Sequence, residues 1–492
     1  MLSQSSRTLT VHFQSLWPRS GLRFRPQIRK PLAIMLLTVL SLVSSATRSA
    51  PQGADSIAER ILPLRERAAL QDDILADRLD TLIPTLMRRE GIGAWVLIAR
   101  EYNEDPIVKT MLPATWLNAR RRTVLLFIDR GEALGVERMA VARYAVGDLF
   151  PGVWNPEEQP DQYARIAEIL SAANPKNIAL NFSNDYALAD GLTYSEQRDF
   201  SAALPAYLRE RIVSSEPLAV AWLETRTEKE MAVYADVMAI AHDIIAEGFS
   251  RAAITPGITS TEDLEWWYRQ RVNNLGLTTW FHNSIEIERP QSATDALVSQ
   301  GAALDIIYPG DHVHIDFGIS YLNLQTDTQQ NAYILRPGEN EAPAHLQRAL
   351  AEGNALQDIL TSNFELGRTG NEILARSKAQ AIDRGLSPII YTHPIGLHGH
   401  AAGTTIGMWD KQDGVPGSGD YEMQPNTAYS IELTAEVTLP EWGDAPMKMK
   451  LEQNGFFDGA TFRYIQPRQT RYHLIISDYP PPRALYESRR VG

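Results

Sequence analysis

One stretch constrains the fold of this chain more than any other: Asp311 to Asn331, DHVHIDFGISYLNLQTDTQQN. Alternation puts Val313, Ile315 and Phe317 on one side of a strand, so His314 and Asp316 share the other. The apolar side requires a core, and an acid on a core strand requires a partner. A second run, Leu322 to Ile334, carries Asp327 eleven residues after Asp316. Gly318 and Asn323 mark the connection as a hairpin or bulge. Two carboxylates on paired strands can face one cation. Standing alone, though, the pair is better explained by a hydrogen-bonded strand acid and a turn residue.

The 492 residues allow two or three domains with a sizeable core. Charge is unevenly spread: residues 1–50 hold seven Lys or Arg and no acid, leaving 40 basic against 60 acidic residues in the remainder. A body at net −20 argues against nucleic acid or an anionic membrane as the main partner. The basic segment, with Arg19, Arg23, Arg25, Arg29 and Lys30, precedes an apolar run from Leu32 to Val43 and the small residues Ser44, Ser45 and Ala46. Positive, then apolar, then small is the order of a secretory signal, so the protein is expected to be exported, periplasmic or secreted. The apolar run is too short to span a core of ~30 Å, so no stable membrane span is expected after signal removal. A start at Met35 or an organelle transit peptide are the alternatives. Cysteine is absent, which excludes thiol nucleophiles, thiolate-bound metals and disulfides.

Short apolar strands at Ala94–Ala99, Thr123–Ile128, Met139–Ala145 and Asn177–Leu180 alternate with helical stretches such as Gln162–Ala173, which implies an α/β domain. Thr227 with Glu230 forms a capping-box pattern ahead of an amphipathic helix. Thr259 with Glu262 is expected to start a second helix, whose Trp266 and Trp267 read as core. Helices around His345–Leu360 and Asn371–Arg384 follow, then two alternating strands, Ala428–Val437 and Met447–Phe457. The expected organisation is a leader at 1–50, an N-terminal domain at 51–222 and a C-terminal domain at 223–492.

Between the last helix and those strands lies YTHPIGLHGHAAGTTIGMWD, residues 391–410, with His393, His398 and His400 among four glycines. Glycine lets backbone approach a site and histidine supplies a neutral nitrogen ligand. In TAYSIELTAEV, Glu432 shares a face with Ser430, Thr434 and Glu436, and in MKMKLEQ, Glu452 alternates with Lys448 and Lys450. Four oxygen-donor acids with one imidazole suit two divalent cations, Mn²⁺ first, with Zn²⁺, Co²⁺ or Fe²⁺ as alternatives. Such a pair activates water and polarises a carbonyl, which is hydrolytic chemistry.

Asp, an eleven-residue step to Asp, a Gly-flanked His, Glu and Glu: this order resembles the family of methionine aminopeptidase, prolidase and Xaa-Pro aminopeptidase. The resemblance covers residues 225–475 and implies a creatinase-like α/β N-terminal domain followed by an α+β pita-bread catalytic domain. It assigns Asp316 in IDFG, Asp327 in TDT, His400 in GHAAG, Glu432 in SIEL and Glu452 in KLEQ as metal ligands. Departures accompany it. Family members have Asp-x-Thr-Arg after the second aspartate, where this chain has Asp327, Thr328, Gln329 and Gln330. Their histidine seven residues after the ligand histidine falls on Gly407, an earlier one falls on Ser299, and an arginine before the last glutamate is Lys450.

His398, His393 and His282 are therefore candidates to replace the missing imidazoles. His398, two residues before His400, is expected to be the outer catalytic donor if the segment is extended. His314 and Lys450 are expected as outer support. The expectation is a dinuclear-metal peptidase acting on Xaa-Pro peptides or dipeptides, with Glu432 cycling the proton to the leaving nitrogen, a role the resemblance implies. A proline-containing peptide is the expected partner, and the resemblance implies a homodimer or homotetramer. Alternatives are a metal-free creatinase-like C–N hydrolase and a non-catalytic peptide-binding protein on the same fold.

Overall fold

The computed structural model describes residues 55–443 and 446–478; the expected leader and the proline-rich tail at 479–482 lie outside them. Five strands, β1 (Ala94–Arg100), β2 (Arg122–Asp129), β3 (Val136–Val141), β4 (Ile178–Leu180) and β5 (Ile212–Ser214), form a mixed sheet in the order β3-β2-β1-β4-β5. The strands expected from Ala94, Thr123 and Asn177 are present almost as read. That expected at Met139–Ala145 lies earlier, because Ala142, Arg143 and Tyr144 bend away before a turn closed by Val146 and Phe150. Both faces are apolar. Val96, Ile98 and Leu126 pack on the helix Gln162–Ala173, while Trp95, Leu97 and Phe127 pack on the helix Glu216–Glu224 and the helical run 64–89.

The next sheet runs β18-β10-β7-β6, built from β6 (Ser284–Glu288), β7 (His312–Phe317), β10 (Thr328–Ile334) and β18 (His473–Ile475). Between β7 and β10 the chain makes a small hairpin, β8 (Ser320–Tyr321) and β9 (Leu324–Gln325), whose turn places Leu322 and Asn323 at φ 56° and 60°. Gly318 is required just before it, since a Cβ there would lie 2.3 Å from the carbonyl oxygen of Thr326. The apolar side of β7 rests on two helices, Glu228–Gly248 and Thr261–Asn274. Thr227 and Glu230 cap the first as a reciprocal box, and the second is capped by Ser260 and Asp263, one residue beyond the expected pair. Leu264, Tyr268 and Val272 form its buried stripe. Trp266 lies off that stripe, 58% exposed and under the guanidinium of Arg269, so it is not core.

The largest departure from the alternation pattern comes in the last third. The run Ala428–Val437 is not one strand but two, β13 (Thr427–Ser430) and β14 (Leu433–Val437), and Met447–Phe457 divides into β15 (Met447–Leu451) and β16 (Asn454–Phe457). A third break separates β11 (Ser387–Ile390) from β12 (His393–Pro394). One half of each pair joins the sheet β11-β14-β15, and the other half joins β12-β13-β16-β17, where β17 is Phe462–Tyr464. The breaks are level: Ile390 pairs with Leu433 and Leu433 with Leu451, while His393 pairs with Ser430 and Ser430 with Asn454. Helices Ala344–Thr361 and Gly370–Asp383 bury the apolar side of the three-stranded sheet.

Candidate metal centre

The level breaks decide where the acids go. Glu432 and Glu452 sit in the two-residue gaps where the chain leaves one sheet for the other, and His393 opens the strand after the third gap. Backbone bonds hold the gaps together: Tyr391 N donates to Glu432 O (3.2 Å) and Ile431 N to Gln453 O (3.0 Å). The Thr392 hydroxyl accepts from Glu432 N at 3.1 Å and donates to Glu432 O at 3.0 Å. Strand β10 is tied to this row by Gln329 N, which donates to Glu452 O at 3.2 Å. Asp316 and Asp327, at the facing ends of β7 and β10, thereby meet the two glutamates.

Ligand-type atoms of Asp316, Asp327 and Glu452 lie within 4.8 Å of one another, as do those of His393, Glu432 and Glu452 and those of Asp327, His393 and His400. His393 is the ring among the carboxylates. Its Nε2 lies 3.7 Å from Asp327 Oδ2, 3.8 Å from Glu452 Oε1 and 4.0 Å from Glu432 Oε2. Its Nδ1 donates to the carbonyl of Pro394 at 3.0 Å, which fixes the tautomer and leaves Nε2 a bare lone pair. Burial pushes this imidazole down to about 3, so it is neutral.

The group set fits cations. Asp316 Oδ1, Glu452 Oε2 and His393 Nε2 are buried without a hydrogen-bond partner, a costly state for chain atoms with nothing to bind. Burial pushes Asp316 up to about 7, and burial with repulsion from Asp316 pushes Glu452 up to about 8. Asp327 and Glu432 are raised well above the carboxylate range, first by burial and then by repulsion from Glu452 and Asp316. Four acids so placed cannot all be charged unless positive charge is supplied. The charge of Lys450 lowers Asp316 and Glu432 without offsetting their burial, and its ammonium is bound to Glu286. Supporting bonds fix the acids: Ser430 Oγ donates to Glu452 Oε1 at 2.6 Å, Asn454 Nδ2 to Ser430 Oγ at 3.0 Å, and Asp327 N to Asn454 Oδ1 at 3.1 Å.

The structure revises the histidine expectations. His400 is not the ring enclosed by the four acids. It is exposed at the rim, edge-on to His393 with centroids 4.7 Å apart, and it packs against Trp280 at 5.1 Å. With His393 among the carboxylates, the position seven residues later is His400, not Gly407. His398 does not join them: residues 396–400 bend, Gly396 N donating to His398 O, so His398 and His400 do not share a side as an extended segment would require. Burial and then the charge of Arg226 lower His398 to about 4. His282 is exposed and lines a separate pocket of about 240 Å³ with Phe317, whose side chain lies on the helix side of its sheet. Ser299 ends an exposed helical turn, its hydroxyl donating to Ala296 O. His314 is buried and bonded to Gln329, and it does not touch the cluster directly.

The sequence patterns assign no site role to Gln329, Ser430, Asn454, Thr392 or Trp280. Each flanks a ligand or loops back to one, but only Gln329 carried a usable signal, as the residue standing in place of the family's threonine.

Residues 236–456 match the model of metallopeptidase family M24. No curated protein gives a significant match. Among solved structures, the X-Pro aminopeptidase from Thermotoga maritima MSB8 is 15% identical, with TM-score 0.52, covering 80% of this chain and 99% of its own. The Xaa-Pro dipeptidase from Bacillus anthracis is 16% identical, TM-score 0.51, over 84% and 100%. Dipeptidase PepE from Mycobacterium ulcerans is 15% identical, TM-score 0.53, over 83% and 99%. At such identities the likeness is one of fold, the pita-bread fold.

Proposed function

We propose that this chain, which belongs through residues 236–456 to metallopeptidase family M24, is a dinuclear-metal peptidase that removes the N-terminal residue from Xaa-Pro peptides or splits Xaa-Pro dipeptides. The observation that carries the reading is the convergence of Asp316, Asp327, His393, Glu432 and Glu452, with the His393 lone pair turned toward the acids. Those five residues hold the cations, Mn²⁺ by the oxygen-rich donor set. Two divalent cations bound there would activate a water and polarise the scissile carbonyl.

The chain's own groups do the rest. Glu432, besides holding a cation, takes a proton from the attacking water and returns it to the departing nitrogen as the C–N bond breaks. His400, exposed at the rim beside Trp280, is placed to donate to the carbonyl oxygen as negative charge builds there. Of the missing outer histidines that favour a non-catalytic binding protein, the one seven residues past the ligand is supplied by His400, and the earlier one remains Ser299. Retention of all five ligands supports metal-dependent over metal-free hydrolysis. Metal analysis together with turnover of an Xaa-Pro dipeptide and an Xaa-Pro-Yaa tripeptide tests the reading. Metal-free protein, or metallated protein inert on both peptides, would overturn it.

The reading extends to four further points. The body divides near residue 222, supported by apolar clusters centred on the first sheet and on the later ones, with Ile57 packed among the later set and Ala402 among the first. The leader is removed between about Thr47 and Gln52 on export, supported by its charge and small residues. Among the described residues no helix is long and apolar enough to cross a membrane. The assembly is a homodimer or homotetramer, supported by family resemblance alone, and N-terminal sequencing and light scattering test the second and fourth points.

A further inference from the structure

Gln329 is 4% exposed, and both ends of its amide are used. Nε2 donates to Glu432 Oε1 at 2.6 Å, and Oε1 meets His314 Nε2 at 3.0 Å. Only one amide orientation works, because a reversed amide would press its carbonyl oxygen against the carboxylate of Glu432. The orientation then requires the neutral His314 to carry its proton on Nε2. His314 is itself fixed, lying on β7 between Glu286 of β6 and Asn331 of β10, opposite both in register. The backbone of Gln329 is bonded to Glu452, so the amide cannot drift from the row of ligands.

The two oxygens of Glu432 are thereby made unequal. Oε1 faces the amide, and Oε2 faces His393 at 4.0 Å. We infer that Gln329 and His314 are positioning residues, a two-part brace in which His314 sets the amide of Gln329 and that amide commits Glu432 to present Oε2 alone to the cations. This chain departs from the family pattern at one part of the brace, Gln329 standing where relatives carry the threonine of Asp-x-Thr-Arg, and its partner His314 comes from the strand that bears Asp316. The inference rests on the metallopeptidase reading above.

Outer partners of metal ligands are worth roughly 10–100-fold in metal affinity or activity. The test is Mn²⁺ binding to the full chain after chelation, by calorimetry and elemental analysis, followed by kinetics at saturating Mn²⁺. Gln329→Leu should weaken one of two Mn²⁺ sites by about 10–100-fold, leave the other unchanged, and lower kcat more than KM. His314→Leu should act in the same direction, His314→Gln should restore the donor and the affinity, and the double variant Gln329→Leu/His314→Leu should be no worse than Gln329→Leu alone. Gln329→Met, which keeps the length of the side chain, carries the same expectation if the leucine variant does not fold. Wild-type uptake of two Mn²⁺ with unchanged affinity in the Gln329 variants would overturn the brace, as would His314→Gln falling as far as His314→Leu. Wild-type protein that takes up no Mn²⁺ would instead overturn the metallopeptidase reading itself.

Discussion

Two buried clusters of charge can be set side by side in this fold. In one, Glu230 receives Arg226 Nη1 at its Oε1 and Arg78 Nη1 at its Oε2, both at 2.6 Å, with all three side chains at most 2% exposed. Burial alone would raise the Glu230 carboxyl, but Arg226 and Arg78 outweigh it and hold the group below its usual range. In the other, Asp316, Asp327, Glu432 and Glu452 crowd around one neutral imidazole and are all raised. In the first cluster the chain itself supplies the acid's counter-charge, and the group works as a strut, tying the helical turn at Arg78 to the start of the helix Glu228–Gly248. The second leaves its charge to be balanced from outside, which distinguishes a site from a strut.

The comparison breaks most sharply at Asp327. Asp327→Asn should lose metal and abolish hydrolysis, a larger loss than the roughly 10–100-fold expected of an outer partner, with circular dichroism unchanged. In metal-free protein the same change should cost no stability, because it removes like-charge repulsion; a marked fall in metal-free Tm would put Asp327 among the struts. Glu230→Leu should do the reverse, leaving two guanidinium groups without a counter-charge at a cost of about 3–5 kcal/mol in denaturant unfolding. A loss near zero would remove the strut role.

A smaller effect separates the histidines. His393→Ala should lose metal, whereas His400→Ala should keep it and lower kcat by roughly 10²–10³-fold, or ~2.7–4 kcal/mol. His398→Ala should change neither, since its ring is set apart from the acids; a hundredfold fall in kcat with metal intact would return it to the site. Elemental analysis beside kinetics decides all three.

Glu224 sharpens the comparison as a buried acid without a cation in contact, bonded to the hydroxyl of Tyr421 at 2.9 Å. Burial pushes it up to about 8 from 4.5. The folded state therefore binds this proton more tightly than the unfolded one, so its contribution is full below about pH 4.5 and is lost as pH rises through about 8. The slope within that window is at most ~1.4 kcal/mol per pH unit. Glu224→Gln should flatten it in unfolding curves taken between pH 5 and 8, and an unchanged slope would assign the dependence elsewhere.

Much of this was legible because strand alternation is local. Val313, Ile315 and Phe317 fix the face of Asp316, and the eleven-residue step with Gly318 and Asn323 fixes the return to Asp327. The histidine segment was ambiguous for a physical reason: two histidines seven apart admit two placements, and which ring falls among the acids depends on long-range pairing of His393 with Ser430. The strand breaks left no trace in periodicity. Tyr429, Ile431, Leu433 and Ala435 keep alternating and stay buried straight through the change of sheet. Gln329 was read only for the threonine it replaces, because its two partners lie on other strands.

The level breaks also bear on how the chain assembles. No single sheet contains the centre: its ligands come from positions 316 to 452, from strand ends in one sheet and from gaps between two others. An unfolded chain therefore offers cations only scattered acids, and binding strength becomes available once three sheets have closed on one another. Cation uptake should appear late in refolding, and bound ions should make separate loss of any one sheet costly, welding the catalytic region into a single cooperative unit.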